Sequence, residues 1–195
     1  MAEIKSTMDL VLERAARMGV ATPEEMQHEE SLKKGMQCTA DYLNDAESSL
    51  PDILGKQEAS QQEAVRKGML ASLLRNLFLP RDEVGTKRID RAVRGLLELN
   101  PHAPDVAAAC QELQSIVRQY AQHRQQLYDQ LKEQMRMQIE QLLMRKGLSS
   151  DGMHIDPTME PQFKEQWSRL EMDLDRQYGQ ALEQFKTQLT EWTGA

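Results

Sequence analysis

Residues 105–146 read DVAAACQELQSIVRQYAQHRQQLYDQLKEQMRMQIEQLLMRK, forty-two residues without a glycine or a proline. Apolar side chains recur at Val106, Cys110, Leu113, Val117, Tyr120, Leu127, Leu131, Met135, Ile139 and Leu142. The steps are threes and fours, with one charged skip at Arg124, as a single stripe along a helix requires. At 1.5 Å per residue such a helix is roughly 60 Å long, more than a compact domain of this size can cover. A helix of that length with one apolar stripe needs a partner along it.

The partner is legible further on. From Pro161 to Trp192 the residues Phe163, Trp167, Leu170, Leu174, Tyr178, Ala181, Phe185, Leu189 and Trp192 repeat with an 11-residue rhythm. That period gives a nearly straight helix. A polar stretch, 147–160, with Ser149, Ser150, Asp151, Gly152 and Pro157, separates the two. The pattern predicts an antiparallel helical hairpin over 105–192, with a partner chain as the alternative mate. The large rings are expected to fill against small residues such as Ala107, Ala109 and Ala121.

Working outward, Asn100-Pro101-His102-Ala103-Pro104 closes off a first part, residues 1–100, expected to be a small helical bundle. A helix is expected from Glu3 to Met18, ended by Gly19. Thr22-Pro23-Glu24-Glu25 carries a capping box for a second helix running to about Ser49, with Met26, Leu32, Met36, Thr39, Tyr42 and Leu43 inward. Gly35 is expected to weaken it. Ser48 to Asp52 reads as a break, and a third helix is expected over Lys56–Leu79. A fourth spans Thr86–Leu99. Strand formers never alternate over five residues, so the chain reads as all-α.

The formal charge of −7 is unevenly spread. Residues 1–65 carry −7, 66–94 carry +5 and 95–195 carry −5. Lys87, Arg88, Arg91 and Arg94 fall at about 0°, 100°, 40° and 340° on the fourth helix, with Ile89, Val93, Leu96 and Leu97 opposite. This basic face can meet an acidic protein, the acidic first part of its own chain, a nucleic-acid backbone or an anionic membrane surface. The acidic whole argues against general nucleic-acid binding.

No nucleophile context or phosphate loop is present, and no catalytic, metal or cofactor residue is assigned. Two weaker constellations give the alternative of an enzyme or metal-binding protein. Glu25 and His28 have the spacing of a di-iron helix but lack its complement. The 151–156 segment gathers Asp151, His154 and Asp156 but fits a turn better. Cys38 and Cys110 read as buried free thiols. Met137 and Met144 sit off the main stripe, where methionine makes an adaptable contact surface. No apolar run reaches the length of a membrane span, and no signal peptide is evident, so a cytoplasmic protein is expected.

The opening Met1-Ala2-Glu3-Ile4-Lys5-Ser6-Thr7, followed by Met8-Asp9-Leu10 and Glu13-Arg14, resembles the start of an uncharacterised family of small helical bacterial proteins. The resemblance covers the first 18 residues or so. It implies a bacterial cytoplasmic origin and carries no function. The expectation is a non-catalytic interaction, adaptor or chaperone-like protein, able to self-associate, that holds a protein partner through Lys87, Arg88, Arg91, Arg94, Met137 or Met144.

Overall fold

The computed structural model describes residues 22–44, 49–147 and 156–195. These residues form six α-helices: α1 (Pro23–Asn44), α2 (Leu50–Gly55), α3 (Gln62–Arg75), α4 (Glu83–Leu99), α5 (Pro104–Arg145) and α6 (Pro161–Thr193). A 3-10 turn at Pro157–Met159 precedes α6. No strand occurs among the described residues, so the fold is all-α with long helices. The helix expected over Glu3–Met18 lies outside the described residues.

The two long helices carry proline at the first helical position, where the missing N–H has no intrahelical role. Glycine in the left-handed region follows each of them, Gly147 at φ 70° and Gly194 at φ 67°. The helices run antiparallel. Tyr120 meets Asp175, Arg124 meets Glu171, and Tyr128 meets Trp167 and Phe163, so numbers rise on one arm as they fall on the other. The hairpin therefore closes within one chain.

Two expectations about the hairpin change. Phe163 and Trp167 do not fill against alanines; both pack edge-on against Tyr128, at 5.5 and 5.1 Å between ring centres. Ala121 faces solvent. Near the end of α6 the buried line shifts by one residue, from Ala181 and Trp192 to Leu182 and Thr193, leaving Trp192 exposed. There α6 contacts α3 as well as α5, so its inward face turns toward the gap between them.

The main interior is one cluster. It joins Tyr42, Val65, Met69, Leu73, Ile89, Val93 and Leu96 from the first part to Val106, Leu113, Val117, Leu182 and Leu189 from the hairpin. Arg66 of α3 ties the same end together. Its guanidinium donates to the Leu99 carbonyl, to the Asn100 side chain and to the Thr193 carbonyl, where two helix C-termini present unpaired oxygens.

The first part differs from expectation in three places. The third helix is shorter than expected, running from Gln62 to Arg75, and a separate short helix, α2, precedes it with Pro51 at its second position. The break expected at Ser48–Asp52 is thus partly helical: a proline can begin a helix as well as end one. Third, α1 turns Ser31, Gly35, Thr39, Tyr42 and Leu43 inward, and Met26 is exposed. Gly35 is the reason. A methyl group there would overlap the Val65 carbonyl oxygen, and one on Gly68 would overlap the Leu32 carbonyl oxygen. Two glycines let α1 and α3 cross backbone to backbone. Gly35 costs helix propensity but permits the closest packing in the bundle.

Candidate interaction surface

Glu25 is engaged at the start of α1. Its carboxylate accepts from the Thr22 N–H at 2.8 Å, and Thr22 Oγ1 accepts from the Glu25 N–H at 3.2 Å, the capping box read from sequence. His28 is exposed on the same helix. Asp156 caps the 3-10 turn by accepting from the Thr158 N–H. Asp151 and His154 lie outside the described residues. Among the described residues no three His, Cys, Asp or Glu side chains stand close enough to share a metal ion. Cys38 is half-buried and Cys110 fully buried, both as free thiols, and burial pushes Cys110 up to about 11.

Two surfaces remain. The first is the outer face of α4. Asp82 caps this helix, its Oδ1 accepting from the Gly85 N–H at 2.7 Å. Ile89, Val93 and Leu96 are buried, while Leu97, expected with them, is 37% exposed. The four cations have different partners. Lys87 pairs with Glu83 at 2.7 Å, both well exposed. Arg88 donates through Nε to the neutral Asn76 Oδ1 at 2.8 Å. Arg91 donates to the Leu43 carbonyl and lies over the Tyr42 ring, 5.5 Å from its centre. Its Nη2 is buried without an acceptor. Arg94 is exposed and forms no ion pair among the described residues. Against the expected docking on the acidic first part, Arg91 finds a carbonyl and a ring there, with no carboxylate among the described residues. Burial, and after it the neighbouring Glu98, push Tyr42 up to about 12.

The second surface is the far end of the hairpin. Beyond Leu131 and Met135, both buried, the α5 stripe continues through Ile139, Leu142 and Leu143. The cross-hairpin pairs place Phe163 near Tyr128, so α5 runs on for several turns past the first residue of α6. Leu142 is 54% exposed, Met144 68%, Met137 47% and Met159 71%. A groove of about 570 Å³ lies along this overhang, lined by Met135, Ile139, Leu142, Leu143, Lys146 and Pro161. The nearby Arg136 is neutralised within α5 by Glu133 and Glu140. Sequence reading singled out Met137 and Met144 but put Leu142 in the seam and missed Met159. The signal for both is that α6 starts too late to cover the last turns of α5.

Between the two surfaces lies a polar joint. The Tyr120 hydroxyl donates to Asp175 at 2.6 Å, and Arg81 of the α3–α4 connection pairs with the same carboxylate. Arg124 donates twice to Glu171, at 2.9 and 2.7 Å, and lies over Trp167. The charged skip in the stripe is thus a bond across the seam. Burial, and after it the bond to Asp175, push Tyr120 well above the ordinary phenol range.

Among the described residues these features define an all-α helical hairpin with a shared core at one end and a partly exposed apolar stripe at the other. A family model described as "Family of unknown function (DUF6657)" matches residues 52–191, and the chain belongs to that family. The match runs from α2 to the last turn of α6 and so includes both surfaces; the resemblance at the N-terminus lies outside it. No curated protein and no solved structure matches the chain. No helix among the described residues is long and apolar enough to cross a membrane.

Proposed function

We propose that this is a non-catalytic binding protein that holds a protein partner along the uncovered end of its hairpin. One observation carries the reading: among the described residues the α5 stripe outruns α6, leaving Leu142 54% exposed beside the groove that Met135, Ile139 and Leu143 line, with the off-stripe Met137 and Met144 exposed on the other side of the same turns. Contiguous exposed apolar surface marks contact sites, and unbranched methionine adapts to differently shaped partners. Arg136 is neutralised within α5, while Lys146 and Glu160 stand at the rim of the apolar groove, which favours an amphipathic segment as the occupant. The rest of the molecule acts as a rigid handle: the base of the hairpin is fixed in the main core and the far end projects from it.

The test is comparative capture from the source cell, using the full chain and a Met137→Gln, Leu142→Gln, Met144→Gln variant. A protein that is retained by the first and lost by the second supports the reading. An identical set of retained proteins overturns it. Solution mass on both chains shows whether the occupant is a second copy, since a homo-oligomer would dissociate in the variant.

A further inference from the structure

The far end of the hairpin is not the sole surface with unmet contacts. We propose that the outer face of α4 is a docking strip for an acidic segment of a partner protein, carried by Arg88 and Arg94 with Arg91 between them. This strip is distinct from the apolar end and stands or falls without it.

The case rests on where the carboxylates go. The chain has 31 acidic residues against 24 basic ones, so arginine in this protein has ample choice of anion. Elsewhere Lys33, Lys67, Arg81, Arg124, Arg136, Arg169, Arg176 and Lys186 each sit within 4 Å of a carboxylate, as Lys87 does on α4 itself, while other cations such as Lys34, Arg75, Lys132 and Lys164 have no carboxylate that close among the described residues. On α4 the two acids that could neutralise Arg94 are one helical turn away on either side, at Asp90 and Glu98. Neither does so. Asp90 Oδ1 accepts from Gln114 of α5 at 3.3 Å. Glu98 turns inward beside Tyr42, and its Oε2 is buried without a partner. Arg88 spends its Nε on an amide oxygen, and Arg91 is held by a carbonyl and a ring, neither of which cancels its charge. One turn along α5 from Gln114, Arg118 is likewise bonded only to a carbonyl, that of Gln114 itself.

The result is a positive strip, immobilised from below and charged from above, on a chain that is negative overall. Arg94 and Arg88 are exposed and reachable. Leu97, one turn beyond Arg94 and 37% exposed, adds an apolar contact at the end of the strip. Helical spacing of the cations suits a regular run of Asp or Glu better than a single anion. A phosphate backbone would also be attracted, but the net charge of −7 opposes its approach along most of the surface.

The test titrates the full chain into a fluorescent poly-glutamate peptide of about 15 residues at low ionic strength and then in rising salt. Binding should occur and weaken with salt. Arg94→Glu and Arg88→Glu should each weaken it by roughly tenfold or more, while the same charge change at Arg169, remote on α6, leaves it intact. Because Arg88 and Arg94 are exposed, melting curves should match the parent and separate lost binding from lost folding. Three outcomes overturn the proposal: no binding at low salt, equal loss with Arg169→Glu, or tighter binding of a single-stranded oligonucleotide or of phosphatidylglycerol vesicles through the same arginines.

Discussion

The two ends of the hairpin obey one sequence pattern and live in different surroundings. At the base, Val106, Leu113, Val117, Leu182 and Leu189 enter a cluster supplied by every helix of the first part. At the far end, among the described residues, Leu131, Met135 and Phe163 form a separate small cluster supported by Tyr128, Trp167 and Leu170. A leucine in the stripe therefore means different things at different heights. Below, it is one face of a multi-helix core. Above, it is half of a two-helix seam that thins to exposed methionine.

The sharpest break of this comparison is a matched pair of truncations. Leu113→Ala should cost about 3 kcal/mol of global stability, because a fully buried leucine leaves a cavity that surrounding helices cannot close. Leu131→Ala should cost about half that, since a seam with solvent on both flanks can collapse or wet the gap. Chemical denaturation of both variants measures the difference. Equal losses would mean that the far end is as firmly packed as the base.

This asymmetry also explains what could be read without coordinates. Periodicity locates both arms to within a residue, because Leu113, Leu131, Phe163 and Leu189 announce a face by spacing alone. It cannot say how many other helices that face meets, so the sharing of one interior between the base and the first part was hidden. Gly35 and Gly68 were hidden for a different reason. A glycine in a helix reads as a propensity loss, and only the facing carbonyls of Val65 and Leu32 turn it into a requirement. Pro51 misled similarly, since its role depends on whether the next residues continue the helix. At the surfaces, the cation spacing of α4 was legible. That Asp90 and Glu98 turn away from Arg94 was not, because their partners Gln114 and Tyr42 come from other helices.

A second prediction distinguishes the base by pH. Cys110 belongs to the main cluster, and burial lifts it from 9.0 to about 11. The unfolded chain thus releases this proton before the folded chain does. Stability from this group is complete below pH 9 and is lost as pH rises toward 11. Each unit in that window costs about 1.4 kcal/mol, so by pH 10 the parent should lose about that much relative to Cys110→Ala. Tyr42 also drops stability above pH 10, but equally in both proteins, so their difference isolates Cys110. Parallel stability curves for the two from pH 8 to 10 would mean that the thiol reaches water and that the base is looser than its packing implies.

The smallest expected effect sharpens the other end. Replacing Met137, Leu142 and Met144 together with glutamine should change stability by less than about 0.5 kcal/mol, the usual range for surface positions. Each side chain already faces solvent to roughly half or more of its area, and glutamine keeps helix propensity. Three apolar residues whose removal leaves the fold unmoved contribute little to folding. That is the physical reason to look for their contribution in a complex. A loss of 2 kcal/mol or more in the isolated protein would instead assign them to the fold and would remove the far end as a binding surface.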